Sequence, residues 1–245
     1  KFFKGDLIMI KDYTNSPILV TGAARSGTSM IGASFHLCGA WKGDTGRPSR
    51  WNAKGMFENL ALREKVVKPI LRKMEVDPRG QYPLPETKNI YIPQNFKDTV
   101  IKTIKSQGWT KDQPWVYKCA KMSLIWPIWQ YAFPNSKWII VRRNPCDIIS
   151  SCMRTGFMNS FANEAIQEKV KAKNEYEGWQ WWVNRHEDKF VEILSMGINA
   201  KVVWPERMIN ADYAQMKDTI EWAGLRWNGP AVMDFIEPKL WKVRE

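Results

Sequence analysis

An early segment of the chain has the composition of an anion-binding loop. Residues 22–29 read Gly-Ala-Ala-Arg-Ser-Gly-Thr-Ser. Before them, residues 17–22 form a short apolar run with β-branched side chains, which is typical of a buried parallel strand. After them, residues 30–38 have the composition of a helix. A loop between a strand and a helix presents backbone N–H groups and a helix N-terminus to an anion, so the segment predicts a phosphate-binding loop.

The side chains of this loop indicate which phosphate chemistry it suits. Hydroxyl donors are available at Ser26, Thr28 and Ser29. Gly27 lies between them, and Arg25 supplies a positive charge. The segment departs from the nucleotide-kinase pattern G-x-x-x-x-G-K-[ST], because Thr28 stands where that pattern needs the lysine that reaches the β- and γ-phosphates. A tight turn of small residues that binds no anion is the alternative.

A second segment of the same kind follows the clearest predicted strand, residues 137–142. Arg143 leaves the carboxyl end of that strand, where open α/β sheets bind ligands. Asn144, followed by proline, is typical of a helix start, and Ser151 lies two turns into the predicted helix. A capped helix with an exposed arginine and a neutral serine is the alternative. Two such loops, each after a strand, favour a shared anion site.

The elements around these loops predict the fold. Two further strands are expected at residues 115–119 and 200–204. Helices are expected at residues 60–74, 120–131 and 213–223, and residues 164–194 are expected to form one long helix or two. Strands that alternate with helices indicate an α/β fold, with a central parallel sheet covered on both faces as a three-layer α/β/α sandwich. No linker is visible, so we expect residues 1–245 to form a single domain.

The two loops together resemble those of the P-loop sulfotransferase family, which uses 3′-phosphoadenosine 5′-phosphosulfate (PAPS). The family's 5′-phosphosulfate loop typically reads P-K-S-G-T-T-W, and some bacterial members carry R-S-G-T-S, as this chain does from Arg25. The family segment R-[ND]-P-x-D-x-x-x-S is similar to the stretch from Arg143 to Ser151. Lys118 stands at the lysine of the family's K-T-H strand end. The tail at residues 235–240 resembles the F-I-x-P-x-L of small bacterial members.

The resemblance implies a function and a set of site residues. PAPS would be the co-substrate, with residues 25–29 on the 5′-phosphosulfate and Arg143 and Ser151 on the 3′-phosphate. The sulfuryl group would pass in line, without a metal, to an acceptor hydroxyl or amine of a small molecule or glycan. Arg25 and Lys118 would meet the negative charge that grows on the bridging oxygen. The family's C-terminal R-K-G-x-x-G segment is missing, and the adenine contact is open between two tryptophans, Trp51 and Trp204.

Transfer to a hydroxyl or amine releases a proton, so a general base is needed, and the histidine that usually serves as the base in this family is absent. The histidine of K-T-H is Ala120 here. Glu58 lies in Lys-Gly-Met-Phe-Glu-Asn at residues 54–59, which resembles the G-[YF]-[FW]-E-N segment of bacterial sulfotransferases. We therefore predict that Glu58 is the general base, with capping of the following helix as its alternative role. His36 and His186 are expected to have structural roles.

Composition limits the alternatives. The net charge is +12, which favours an anionic partner. The four cysteines show no metal-binding or disulfide spacing, and no apolar run is long enough to span a bilayer, so a cytoplasmic protein with reduced thiols is expected. A P-loop kinase for small molecules is one alternative function. A basic nucleic-acid-binding module is another, disfavoured because the basic residues are scattered through every segment.

Overall fold

A parallel four-stranded sheet forms the centre of the computed structural model, which describes residues 11–242. The spatial order of the strands is β2-β1-β3-β4, and every neighbouring pair is parallel. The strands are β1 Ile18–Gly22, β2 Val116–Lys118, β3 Lys137–Val141 and β4 Ala200–Val203. The predicted strands are confirmed, each within two residues at either end.

Helices connect the strands and cover both faces of the sheet. The α-helices are α1 Thr28–Leu37, α2 Leu60–Leu62, α3 Lys68–Lys73, α4 Phe96–Lys105, α5 Trp126–Ala132, α6 Pro145–Met153, α7 Glu164–Lys169, α8 Glu175–Ser195, α9 Pro205–Ile209, α10 Ala214–Trp222 and α11 Gly229–Phe235. A π-helical turn, Arg63–Val67, joins α2 to α3. Short 3₁₀ turns lie at Thr87–Asn89, Ala120–Ile125, Ser160–Ala162 and Pro238–Leu240.

The core has one layer on each face of the sheet because side chains alternate along each strand. On one face, Leu19 and Ile140 pack with helices α3, α4, α5 and the end of α8. On the other face, Val20 and Ile139 pack with α1, α10 and α11. The predicted three-layer α/β/α architecture is confirmed.

The strand order places both predicted anion loops at one point. β1 pairs with β3, and Gly22 at the end of β1 lies opposite Val141 at the end of β3. The chain leaves β1 toward β2 on one side and later reaches β3 on the other side, so β1 and β3 flank a topological switch point. Open α/β sheets bind ligands in the crevice outside the carboxyl ends of such strands.

The segment 164–194, expected as one long helix or two, is two helices, α7 and α8, because the Asn174 side chain caps α8 by accepting from Glu177 N. The helix predicted at 60–74 is interrupted by the π-helical turn. The stretch 41–59 forms no regular helix or strand and ends in buried residues. Its last residues turn inward, toward partners described below.

Three further observations concern the part of the chain that the structure describes. Over residues 11–242, no helix combines the length and the apolar character needed to cross a bilayer. The four cysteines are free thiols, three of them buried and Cys146 exposed. In the same range, no three His, Cys, Asp or Glu side chains are grouped closely enough to hold a metal ion.

Candidate active site

The loop after β1 has a backbone shaped to receive an anion. Gly27 is the N-cap of α1, with a left-handed φ of 93°, and no side chain caps the helix. Arg25 also has a positive φ, 73°, which is uncommon for a residue other than glycine. The Ser26 hydroxyl is buried and has no hydrogen-bond partner within residues 11–242. The N-terminus of α1 and the buried Ser26 hydroxyl are therefore available as hydrogen-bond donors to a ligand.

The side chain of Arg25 joins the first loop to the second. Its Nε donates to Ser151 Oγ at 3.0 Å, and its Nη1 donates to the Trp51 carbonyl at 3.2 Å. Burial lowers the pKa of Arg25, although the group remains charged at any physiological pH. Arg25 and Ser151 therefore belong to one site although they are 126 residues apart.

Arg143 closes the other side of this site. Its Nη1 donates to the carbonyl of Arg25 at 3.1 Å, and its Nη2 donates to the carbonyl of Lys242. The guanidinium carbon lies 4.1 Å from the ring centroid of Trp241, in a cation–π contact. The C-terminal segment 238–242 therefore lies directly over the first loop.

Two carboxylates lie near Arg143 but accept no hydrogen bond from its Nε. Asp147 Oδ2 lies 3.8 Å and Glu206 Oε1 3.9 Å from Arg143 Nε. Nε itself makes no hydrogen bond within the described residues. Burial lowers the pKa of Arg143, with the two carboxylates acting in the opposite direction, and burial raises the pKa of Glu206. The Nε donor of the guanidinium is therefore available to a ligand.

A cavity of 680 Å³ lies between these loops and the C-terminal segment. Its walls come from residues 25–30, 50–55, 151–155 and 235–242, together with Arg143. Six cationic side chains line it: Arg25, Arg50, Lys54, Arg143, Arg154 and Lys242. Glu237 is its one acidic lining residue within the described chain. We call it the outer cavity, and its charge suits a ligand with more than one anionic group.

A smaller cavity of 100 Å³ lies beside it, on the other side of the first loop. Arg25, Thr28, Ser29 and Asn52 line both cavities. The Ser29 hydroxyl donates to the Met56 carbonyl at 2.9 Å and accepts from Asn52 Nδ2 at 2.9 Å. We call this the inner cavity. A group bound at Thr28 and Ser29 would be accessible from both sides.

Three charged residues form a buried cluster at the wall of the inner cavity. Glu58 Oε1 lies 3.0 Å from Lys121 Nζ, and Glu58 Oε2 lies 3.4 Å from Lys118 Nζ. Glu58 is 2% exposed and Lys118 is 4% exposed. Burial alone would raise the pKa of Glu58, but the two ammonium groups outweigh it and lower the pKa to about 2. Burial lowers the pKa of Lys118, whereas Cys119 and Glu58 together outweigh burial at Lys121 and raise its pKa.

Comparison with solved structures identifies the fold. The chain is similar to the sulfotransferase STF9 from Mycobacterium avium, with a TM-score of 0.51 and 15% sequence identity. The match covers 89% of this chain and 66% of that protein, so the chain spans about two thirds of its length. The sulfotransferase domain of the olefin synthase from Synechococcus PCC 7002 matches with a TM-score of 0.50 and 12% identity, over 98% of this chain and 86% of that domain.

The chain has the sulfotransferase fold. It is an α/β fold in which a four-stranded parallel sheet is flanked by helices. No protein-family profile matches the chain, and no curated protein sequence matches it either. The resemblance in the loops and the likeness of the fold thus point to the same group of proteins by separate routes.

Within this sulfotransferase fold, the residues predicted from the sequence fall into two neighbouring groups. Arg25, Gly27, Arg143 and Ser151 line the outer cavity. Glu58 and Lys118 line the inner cavity. Thr28 and Ser29 line both cavities, and Ser26 lies buried beneath the loop. The helix-capping role that was the alternative for Glu58 belongs to its neighbour Asn59, whose side chain accepts from Leu62 N at 3.0 Å.

Sequence reasoning missed several residues of the site. Lys121 follows Lys118 by one 3₁₀ turn and pairs with Glu58 more closely than Lys118 does. Asn52 fixes Ser29, and Trp241 stacks on Arg143. Of the two tryptophans considered for adenine, Trp51 lines the outer cavity. The spacing of Lys118 and the next lysine after a strand end was a usable signal for Lys121, whereas Trp241 carried none.

The two histidines differ in their surroundings. His36 is an exposed residue of α1, with Nδ1 3.1 Å from the Ala40 carbonyl. His186 is buried on α8, with Nδ1 2.9 Å from the Trp182 carbonyl, and it lines the inner cavity. Burial lowers the pKa of His36, and burial lowers the pKa of His186 to about 4.

Proposed function

We propose that this chain is a PAPS-dependent sulfotransferase, which moves a sulfuryl group to an acceptor hydroxyl or amine. The observation that carries the proposal is the direct bond between the two anion loops, from Arg25 Nε to Ser151 Oγ, with Arg143 on the Arg25 carbonyl. This junction makes one cationic cavity out of two loops. A donor with two separate anionic groups matches it better than a single phosphate does.

Unsatisfied donors support a fit to this nucleotide. In our proposal, residues 25–29 bind the 5′-phosphosulfate, through the N-terminus of α1 and the buried Ser26 hydroxyl. Arg143 and Ser151 bind the 3′-phosphate, and the free Nε of Arg143 is the donor left for it. Trp51 is the candidate for stacking on the adenine. These contacts would orient the sulfuryl group toward the inner cavity.

The proposed chemistry is an in-line displacement at sulfur. The acceptor atom forms a bond to sulfur as the bond from sulfur to the bridging oxygen breaks, and the electron pair of that bond stays on the nucleotide phosphate. Arg25 and Lys118 both line the inner cavity and would stabilise the charge on that oxygen. The acceptor loses a proton, for which the sequence predicts Glu58 as the base. The inner cavity holds a second group capable of this, His186.

Two alternative functions have specific objections. A small-molecule kinase would need a lysine at Thr28 and a magnesium-holding acid at a strand end, where this chain has Arg142 and Arg143. A nucleic-acid-binding module would need its cations on an open face. Six of them instead line a cavity. The unpaired cysteines support a cytoplasmic location for the enzyme.

Ligand-induced stabilisation tests the proposal. We expect adenosine 3′,5′-bisphosphate to raise the melting temperature more than AMP does, because only the bisphosphate reaches both loops. At a ligand concentration of a hundred times Kd, the gain in unfolding free energy is about 2.7 kcal/mol.

Arg143→Ala is expected to weaken bisphosphate binding by about 1.5–3 kcal/mol, the range for a hydrogen bond to a charged group, and to change AMP binding little.

The same titrations also show which results would contradict the proposal. Equal shifts by AMP and the bisphosphate would remove the assignment of Arg143 and Ser151 to a 3′-phosphate. Equal losses of both ligands in Arg143→Ala would mean that Arg143 acts by holding the Arg25 carbonyl. ATP with magnesium serves as the comparator, and its preferential binding would favour the kinase alternative.

A further inference from the structure

The inner cavity contains an imidazole that the proposed function has not used. His186 lies on α8, and its neighbours on the cavity wall include Ala120 and Lys118 at the end of β2. Ala120 stands where the resemblance places the family's histidine. The methyl side chain leaves space in front of the loop, and His186 faces that space from a different element.

One hydrogen bond fixes the tautomer of His186. Nδ1 lies 2.9 Å from the Trp182 carbonyl, and a carbonyl oxygen can only accept, so Nδ1 carries the proton. Nε2 therefore carries the lone pair. Within residues 11–242, Nε2 makes no hydrogen bond, and the His186 side chain lines the inner cavity. The ring offers the cavity a free proton acceptor.

The surroundings of His186 hold the ring still and keep it neutral. The Trp182 ring lies 4.0 Å from the imidazole centroid, and Phe190 lies 6.5 Å away on the next turn. Burial lowers the pKa of His186 to about 4. The charged groups that face it are Arg25, Glu58, Arg79, Lys118 and Lys121 on the cavity wall, with Lys189 on its own helix. The cations outnumber the single carboxylate, so the neutral form is favoured.

Glu58 is placed differently for the same task. One of its oxygens pairs with Lys121 and the other with Lys118. Both carboxylate oxygens therefore have a cationic partner, and two buried ammonium groups depend on their charge. Protonation of Glu58 would leave those cations uncompensated. A proton acceptor must be free in its basic form, and of the two groups only His186 meets that requirement.

We propose that His186 Nε2 is the catalytic residue that accepts the acceptor's proton, while Glu58 holds Lys118 and Lys121 in place. This rests on the proposed function. As the acceptor oxygen bonds to sulfur, its proton moves to Nε2, and the bond from sulfur to the bridging oxygen breaks with its electron pair on the nucleotide. The imidazolium then returns the proton to water. The acceptor group must enter the inner cavity.

A pair of histidine variants tests this role. His186→Asn keeps a side-chain donor for the Trp182 carbonyl and removes Nε2. His36→Asn is the matched control, because His36 has the same Nδ1 contact to a backbone carbonyl four residues along and lies outside both cavities. PAPS turnover is first measured with phenols, alcohols and amines as acceptors. Turnover is then compared between phenol, which is protonated at the assay pH, and a nitrophenol, which is already ionised.

The expected result is a loss that depends on the acceptor. His186→Asn should cut turnover by about 10²-fold with phenol, the lower end for a general base, and by less than about threefold with the nitrophenol. Its bisphosphate affinity and that of His36→Asn should equal wild type. If His186→Asn fails to bind bisphosphate, His186→Gln is measured in its place, because its amide sits nearer the Nε2 position.

Three outcomes would overturn the inference. Equal losses on the two acceptors would indicate a structural role for His186. Losses no larger than those of His36→Asn, or a failure of both His186 variants to bind bisphosphate, would do the same. The proposed function has its own separate failure: a wild-type chain that transfers sulfuryl to none of the three acceptor classes contradicts it, whatever the histidine variants do.

Discussion

Within the described residues, the carboxylate of Glu58 pairs with two ammonium groups, and this determines what its removal does. Lys118 is the last residue of β2, Lys121 lies in the 3₁₀ turn that follows, and both reach the carboxylate. Breaking such a buried pair is strongly destabilising, because the partner charge stays buried without compensation. The stability of the cluster and any role of Glu58 in catalysis are therefore coupled, and a useful experiment separates them.

We expect Glu58→Gln to lower the unfolding free energy at neutral pH by about 3–5 kcal/mol, as for a broken buried ion pair. Because the pKa of Glu58 is lowered to about 2 in the folded chain, its contribution is present above the ordinary pKa of about 4.5 and is lost as the pH falls toward 2. Urea unfolding at several pH values measures this, and the gap to wild type should narrow below pH 4.5.

Glu64→Gln is the matched control for this substitution. Glu64 pairs with Lys68 at 2.8 Å on an exposed helix face, where an ion pair contributes about 0–1 kcal/mol. Turnover of Glu58→Gln should fall equally with phenol and a nitrophenol, because Glu58 acts through the lysines. A loss confined to phenol would instead restore Glu58 as the general base, the role that the sequence predicts.

At the residue scale, the sequence predicts site residues that lie next to a strand end and misses those brought to the site by tertiary contacts. Arg25, Arg143 and Ser151 could be found because each lies at a fixed distance from the end of a strand. Lys121 and His186 could not be placed in the same way, because the first needs the partner Glu58 and the second lies on a helix more than sixty positions further along. Their chemistry depends on which residues face a shared cavity.

The first loop and the C-terminal segment 238–242 act as one element of structure. A Cβ added at Gly27 would lie 2.8 Å from the Trp241 ring and 2.9 Å from Pro205. The Trp241 ring also stacks on Arg143, whose Nη2 donates to the next carbonyl along the segment. Close approach at Gly27 therefore sets how the segment lies over the outer cavity.

Gly27→Ala should weaken bisphosphate binding and lower the melting temperature, because the left-handed φ of 93° and the contact with Trp241 both oppose a methyl group. Gly39→Ala is the matched control: its φ is 102°, and a Cβ there would meet nothing within 4 Å. Backbone strain alone should cost about 1 kcal/mol in each. Equal stability and equal bisphosphate affinity in the two variants would mean that the contact with segment 238–242 has no influence on the site.

At the element scale, strands were easier to predict than helices. β1 and β3 are continuous apolar runs with a sharp end, and a parallel sheet buried on both faces requires that pattern. The helix α4 went unnoticed, although Phe96, Val100 and Ile104 recur at four-residue intervals and form its buried face. The π-helical turn before Lys68 has no local signature, since it depends on packing of the helix against the core.

At the scale of the whole molecule, the excess of positive charge is concentrated where it can act. The net charge is +12, and six cations line the outer cavity. Such a cavity raises the local concentration of an anionic ligand. The net charge alone indicates an anionic partner without identifying it, because it says nothing about which cations the fold brings together. The strand order β2-β1-β3-β4 decides this, since it sets the two loops side by side.

The same arrangement predicts how activity responds to chelation. We expect sulfuryl transfer to continue in EDTA, because β3 is followed by Arg142 and Arg143 instead of a magnesium-holding acid. The carboxylates beside Arg143, those of Asp147 and Glu206, lie within 4 Å of its Nε, so a guanidinium already occupies their vicinity. PAPS turnover is measured with and without EDTA, and the melting temperature in each condition controls for unfolding. Complete loss of turnover that magnesium restores would favour phosphoryl transfer, because a γ-phosphate needs more charge neutralisation than a sulfuryl group.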